Sequence, residues 1–237
     1  MLPRNIKGVL FDVDGTLYHQ TPLRIIMVML LILHHIRQPK ALLRKVRIIK
    51  AYRKAQETMR KSFHDSPDCE AEQRGITIAT TGETPQYVTE VLQEWFEMKP
   101  LPYLRVCRRR GLKRMLTRLD GQGFKLGVYS DYPARNKLCA LGIADYFNTV
   151  VASQDRDVRG FKPNTNGFTV AVARMGLAPS EVLYVGDRAH IDGVGAAAAG
   201  MPVIIMSGMI HEKTSLEAYP IFKSLDKLTA ELIRAKT

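Results

Sequence analysis

Phe11-Asp12-Val13-Asp14-Gly15-Thr16-Leu17 is the stretch on which the reading of this chain turns. It overlaps Gly8-Val9-Leu10-Phe11-Asp12, a short apolar segment of the kind that forms a strand covered on both faces. Asp12 and Asp14 stand two residues apart at the end of that run, so their side chains point the same way. Two ionised carboxylates held together repel, and such a pair is bridged by a cation or shares a proton. Gly15 permits a tight turn that presents backbone N–H groups to an anion, and Thr16 adds a hydroxyl.

Four more runs of this type follow, at 125–129, 149–152, 182–185 and 202–206. Segments of helical period lie between them, most clearly at 134–141, 165–175 and 191–199. Strand and helix in alternation predict an α/β fold, Rossmann-like, with a doubly wound parallel sheet. The first two strands lie too far apart for an ordinary crossover. The intervening residues, 21–99, read as helical throughout. Thr21-Pro22 predicts a helix start, with the hydroxyl as N-cap and proline at the first position, and that helix runs to Ile36. Further helices are expected at 41–61 and 84–98, and Pro100-Leu101-Pro102 is expected to be a stiff link back. The expected organisation is an α/β core of 1–19 and 103–237 with an inserted helical domain of 20–102.

The 237 residues are 46% apolar and 24% charged, with 17 glycines and 12 prolines, which excludes collagen, low-complexity disorder and coiled coil. Cys69, Cys107 and Cys139 are scattered, with no C-x-x-C pair. This argues against a disulfide framework or thiolate zinc site, suits a reducing cytoplasmic location, and leaves the three as packing residues. Asp12 and Asp14 interrupt any secretory signal. The longest apolar run, 25–33, falls short of the ~20 residues a membrane-spanning helix needs.

In an open parallel sheet, ligands sit at the carboxyl ends of the strands. The later strands deliver Ser130-Asp131, then Gly160-Phe161-Lys162-Pro163, then Gly186-Asp187-Arg188-Ala189-His190-Ile191-Asp192 to that edge. Asp12, Asp14, Asp187 and Asp192 together make an oxygen-rich nest, a hard-ligand site for which Mg²⁺ is the natural occupant. With the hydroxyls of Thr16 and Ser130 and the charge of Lys162, the set describes a phosphoryl cradle. A carboxylate beside it can attack phosphorus, and a second can protonate the leaving oxygen and then deprotonate water.

These motifs, in this order, resemble the haloacid dehalogenase-like superfamily in its phosphatase branch. The likeness rests on D-x-D-G-T-L at 12–17, the K-P pair at 162–163 and G-D-x-x-x-x-D at 186–192, and spans the core. The resemblance implies Asp12 as nucleophile and metal ligand, and Asp14 as general acid/base giving its backbone carbonyl to the metal. Thr16 and Ser130 would contact the phosphoryl group, with Asp131 beside them, and Lys162 would hold the nucleophile and phosphoryl charge. Asp187 would ligate the metal, and Asp192 would do so directly or through water. The insert resembles the α-helical cap of phosphoglycolate phosphatase and β-phosphoglucomutase relatives. Asp14 favours a phosphate ester, since the dehalogenase and phosphonatase branches lack an acid there.

Plainer readings stand beside several of these. Asp131 precedes Tyr132-Pro133 and could cap the next helix, and Asp192 could be an ordinary early-helix carboxylate. Gly193-Val194-Gly195 mimics a dinucleotide fingerprint, but it opens well past the strand and reads as small residues packing a helix tightly. Ser130 lacks the G-x-S-x-G elbow of a hydrolase serine. His34, His35 and Trp95 read as cap packing, and His190 could touch substrate.

Lysine and arginine number 35 against 23 acids, a formal +12. Ten of the basic residues lie between Arg37 and Lys61, with Glu57 the one acid, and seven lie at 105–118 with none. The readings, in order, are solvated helix faces, steering of an anionic substrate, and contact with an acidic membrane surface; no nucleic acid is expected. The 25–33 run is expected to be buried in the cap or in a homodimer interface. The expected activity is Mg²⁺-dependent hydrolysis of a small phosphorylated metabolite through an aspartyl-phosphate, phosphoglycolate phosphatase-like. The alternatives are a sugar-phosphate mutase and a non-catalytic binding or membrane-peripheral protein.

Overall fold

β1 (Gly8–Phe11), β2 (Lys125–Ser130), β3 (Thr149–Ala152), β4 (Val182–Gly186), β5 (Val203–Met206) and β6 (Ile221–Phe222) pair in parallel, in the order β3-β2-β1-β4-β5-β6. The structure is a computed structural model and describes residues 3, 5–62, 65–206 and 219–236. The fold is thus the α/β doubly wound sheet that the alternating runs predict, with β6 as an addition. Side chains alternate between two apolar clusters, as strand geometry requires. Val9, Phe11, Val128, Val185 and Ile204 enter one, and Leu10, Tyr129, Tyr184 and Ile205 enter the other. Strand order reverses at β1, which pairs with both β2 and β4, and such a switch opens a crevice at the carboxyl edge.

Between β1 and β2 the chain forms α1 (Gln20–His35), α2 (Pro39–Lys61), α3 (Cys69–Thr81) and α4 (Pro85–Leu92), which runs on as a π-helical stretch (Gln93–Met98). α5 (Leu101–Cys107) and α6 (Leu112–Gly121) complete the connection. The core adds α7 (Arg135–Leu141), α8 (Asn166–Met175), α9 (Val194–Ala198) and α10 (Leu225–Lys236).

Local signals explain most boundaries. Thr84 accepts the Tyr87 N–H at 3.3 Å ahead of Pro85, which places the start of α4 where the sequence predicts it. α3 goes beyond the expected helices: Asp68 accepts the Ala71 N–H at 2.9 Å, and Gly82 closes the helix at φ 67°. Thr21 does not cap α1, which starts two residues earlier than expected, at Gln20 after His19. The His19 N–H donates to the Cys107 carbonyl at 2.9 Å, so a bond to another element fixes the entry. Pro100-Leu101-Pro102 is helical rather than a plain link, because Pro102 sits in the first turn, where its missing N–H costs nothing. The helix expected at 191–199 opens instead as a π-turn, Ala189–Gly193.

The expectation that all three cysteines pack inside changes, and burial of the 25–33 run within the insert holds for only part of it. Cys69 and Cys107 are buried, but Cys139 is exposed. In the 25–33 run Leu31 is buried and Ile26, Met27 and Leu30 are half-buried, whereas Ile25, Val28, Met29, Ile32 and Leu33 face outward. Only one side of α1 is needed to pack the insert, which explains the division. Among the described residues no helix is long and apolar enough to cross a membrane. The helical segment has its own apolar cluster around Ile48, Tyr52, Val88, Leu92 and Trp95, and Tyr132, just after β2, reaches into it from the core.

The glycines at 193–195 serve packing. A Cβ on Gly195 would stand 2.6 Å from the Phe168 ring and 2.9 Å from the Pro163 carbonyl oxygen. Gly195→Val is expected to destabilise by ~1–3 kcal/mol through overpacking. Urea unfolding should show a lower midpoint at unchanged slope.

Candidate functional site

Phe11 ends β1 paired with Val185 of β4, and the Asp12 N–H donates to the Val185 carbonyl at 2.9 Å. Asp12 therefore leaves the sheet at its carboxyl edge beside the loop after β4. Gly15 turns this loop back at φ 101°, a left-handed conformation suited to glycine. A Cβ there would lie 2.0 Å from Asp187 Oδ2, so the two loops nest only because residue 15 has no side chain.

Lys162 is the centre of the arrangement and is fully buried. Its ammonium donates to Asp12 Oδ1 at 2.6 Å, Asp192 Oδ1 at 2.8 Å and the Tyr184 hydroxyl at 3.1 Å. The rings of Tyr129 and Tyr184 lie 5.4 and 5.8 Å away, so aromatic faces complete its shell. Burial opposes charge on this lysine, but Asp12 and Asp192 outweigh it and push its pKa well above the usual value.

Asp192 is held in place by the protein on both oxygens. Oδ1 also accepts from Tyr184 at 3.0 Å, and Oδ2 accepts the N–H groups of Asp187 at 3.3 Å and Arg188 at 3.1 Å. The π-turn carries this residue back under the strand end, where Gly186 leaves room; a Cβ there would lie 2.4 Å from Asp192 Cβ. Despite burial, Lys162 and Arg188 bring the Asp192 carboxyl down to about 2.

Asp12 and Asp187 are poised differently. Asp12 accepts the Thr16 hydroxyl at 3.1 Å on Oδ2, and burial pushes it up to about 6 against the pull of Lys162. Burial, then the charges of Asp12 and Asp192, raise Asp187 well above the carboxylate range. One oxygen from each of Asp12, Asp187 and Asp192 lies within 4.8 Å of the others. Asp187 Oδ1 is buried without a hydrogen-bond partner, and Arg188 Nε stands 3.8 Å from it. An orphaned buried oxygen in a hard-donor cluster fits a divalent cation, which would stabilise the ionised forms that burial disfavours.

Asp14 lies beside this cluster, half-buried and ionised. Lys137 in the first turn of α7 donates to both its oxygens, at 2.8 and 2.7 Å, and the Tyr18 hydroxyl donates to Oδ1. Burial alone would raise this carboxyl, but Lys137 and Tyr18 prevail and lower it. Asp131 does not cap α7, whose N-cap is Ala134. It accepts from Arg60 at 2.7 Å and Arg188 at 3.2 Å, and Arg60 also donates to the Lys162 carbonyl at 2.6 Å. Arg60 is on α2, so the pair ties the insert to the core. Ser130 is fully buried at the end of β2, and its hydroxyl oxygen accepts the Tyr132 N–H at 3.4 Å.

The residues singled out in the sequence thus converge on one edge, with two differences of emphasis. Asp131 Oδ2 accepts from both arginines and Oδ1 from the Ser153 hydroxyl at 3.4 Å, and the oxygens of Asp192 are taken by Lys162, Tyr184 and backbone amides. Lys137, Tyr18, Arg60 and Arg188 are additions. Arg188 sits inside the 186–192 motif and Tyr18 one helical turn from Asp14, so spacing marks both; Lys137 and Arg60 carry no local signal. His35 packs against Trp95 with ring centroids 5.5 Å apart, and its Nδ1 pairs with the Leu31 carbonyl at 3.0 Å, as a packing residue should.

Asp12 and Asp14 open into a cavity of about 470 Å³ between insert and core. Arg24, Lys50, Arg53 and Lys137 contribute positive charge to its wall, and Leu23, Met27, Leu31 and Phe96 contribute apolar surface. Burial and the neighbouring charge of Arg53 hold the Arg24 guanidinium below its usual value.

Known proteins resemble the chain at three levels. A glyceraldehyde 3-phosphate phosphatase from Methanopyrus kandleri is 41% identical over 92 residues, 38% of this chain and 39% of that protein. The chain therefore matches about two-fifths of that relative's length. A phosphoglycolate phosphatase from Shigella boydii is 28% identical over 219 residues, 84% of this chain and 81% of that protein. A crystal structure of a 2-haloacid dehalogenase from Pseudomonas syringae shares the fold at a TM-score of 0.66, with 22% identity, 97% of this chain and 99% of that one covered. The sequence model of the haloacid dehalogenase-like hydrolases matches residues 6–200. That match spans the sheet edge, the insert and every carboxylate described above: the chain is an enzyme of the haloacid dehalogenase-like hydrolase family.

Proposed function

We propose that the chain is a Mg²⁺-dependent phosphomonoester hydrolase working through an aspartyl-phosphate on Asp12. The observation that carries this reading is the state of Asp12: one oxygen on the buried Lys162, the other on Thr16, next to Asp187 and at the floor of a cavity. Asp12, Asp187 and the Asp14 carbonyl would hold Mg²⁺, with Asp192 behind them. The ion would supply charge stabilisation to the transferring phosphoryl group.

Within this reading the Asp12 carboxylate forms a bond to phosphorus while the ester P–O bond breaks. Asp14, protonated by the incoming monoester monoanion, passes that proton to the departing oxygen, then takes one from the water that attacks the aspartyl-phosphate. Lys162 keeps Asp12 ionised and aimed, and adds positive charge where the phosphoryl charge grows. Thr16, with Ser130 behind it, supplies hydroxyls to the phosphoryl oxygens. Lys137 and Tyr18 hold the resting Asp14 as a carboxylate, the form needed for the water step. Asp131 acts through Arg60 and Arg188 to set the insert over the site.

The basic and apolar cavity wall supports a small phosphorylated metabolite as substrate. The two phosphatase relatives support the same class, with phosphoglycolate as one member to test. A cytoplasmic location accords with three cysteines that form no pair among themselves.

Three outcomes follow from these roles. Asp12→Asn should lower phosphate release from an aryl phosphate by ~10³-fold or more while the protein still unfolds in one cooperative urea transition, at a lower midpoint because Lys162 loses a charged partner, and EDTA should abolish the wild-type rate until Mg²⁺ is restored. Below about 6 Asp12 holds a proton that the ion displaces, so Mg²⁺ binding there should release protons and tighten as pH rises through about 6. Calorimetry in buffers of different ionisation enthalpy reads that release. Removing the Lys137 charge lets Asp14 hold its proton to higher pH, so Lys137→Met should move the acid limb of the kcat profile upward.

A further inference from the structure

We propose that the outer face of α1 docks on an anionic membrane surface. The inference is independent of the phosphatase reading. Ile25, Val28, Met29, Ile32, Leu33 and Ile36 are 46–69% exposed. Ile36 continues the helical path beyond His35, at φ −55° and ψ −32°. At about 100° per residue these six fall on one arc of ~140°. The opposite side of α1 packs on the insert and lines the cavity through Leu23, Met27 and Leu31. The helix is apolar all round, yet only half of it is covered. A contiguous exposed patch of this kind marks an interaction surface.

Charge decides what covers it. From Gly15 to Gln56 the chain contains no acidic residue and nine lysines and arginines. Arg44 and Lys45 are paired, with Glu83 at 2.5 Å and Glu94 at 3.1 Å. Arg37 and Lys40 are exposed and directly follow the stripe, and Arg47, Lys50 and Lys54 are exposed further along α2. A second copy of the chain would bring this positive rim against its own like, which disfavours self-association. An apolar helix face followed by exposed basic side chains matches the apolar boundary and negative charge of an anionic bilayer surface. Val28 belongs both to the stripe and to the cavity wall, so the docked face borders the mouth of the site.

The test is co-sedimentation of the full chain with vesicles of phosphatidylcholine alone and of phosphatidylcholine with phosphatidylglycerol, at low and high salt. Binding is expected on the anionic vesicles, falling with salt. Ile32→Glu/Leu33→Glu should weaken it about tenfold or more, and Arg37→Glu/Lys40→Glu should do the same and flatten the salt dependence. Both variants should hydrolyse a soluble aryl phosphate at the wild-type rate, which shows that they are folded; thermal unfolding gives the same control without activity. No binding to anionic vesicles overturns the proposal, as does equal binding by folded Ile32→Glu/Leu33→Glu. A wild-type dimer that this variant dissociates, without vesicle binding, assigns the face to a second copy and overturns it too.

Discussion

A lysine ammonium with no solvent exposure is tolerable only if the protein supplies its whole environment. At Lys162 that environment comes from the ends of β1 and β4 and from the turn after β4, through Asp12, Tyr184 and Asp192. The sheet must hold these elements within hydrogen-bond reach, and parallel pairing of β1 with β4 does so. Breaking such a buried charge pair by removing one partner costs ~3–5 kcal/mol, so its geometry constrains the surrounding fold. The rest of the site follows from it: Asp12 is aimed and Asp192 is tied down, while Asp187 is left with an unsatisfied oxygen.

The insert is bound to this centre by polar contacts as well as apolar ones. Tyr132 enters the apolar cluster of α2 and α4, and its hydroxyl donates to Gln56 at 2.8 Å. Arg60 reaches the opposite way, from α2 to Asp131 and to the carbonyl of Lys162 itself. The residue that aims the proposed nucleophile and the helix that roofs the cavity therefore share a hydrogen bond. Substrate recognition in the roof and chemistry in the floor are adjacent links of one chain of contacts.

Much of this was legible in the residues because it depends on local rules. Buried parallel strands are continuous apolar runs, and their ends are where ligands bind, so the carboxylates at 12, 14, 187 and 192 could be gathered before any coordinate was known. Elements fixed by distant partners were less legible. α1 starts at Gln20 because of a bond to Cys107, and α3 lies within the stretch that reads as helical, its ends marked by Asp68 and Gly82. The π-turn at 189–193 is set by the fit of Asp192 under Gly186, which no periodicity reveals. Lys137 and Arg60 are far from their carboxylate partners in sequence, so only folding discloses them. The apolar run of α1 was visible, but its division into a packed and an outward half needs the neighbouring helices.

The nesting of Gly15 against Asp187 has a consequence for how this scaffold can change. With 2.0 Å between the carboxylate oxygen and the place a methyl group would occupy, the first loop cannot acquire any side chain at that point without displacing the second. Grafting either loop alone into a relative, or randomising one of them in a library, would clash unless its counterpart came with it. The two loops must therefore change together, whereas the helices above are under no such steric constraint from this contact.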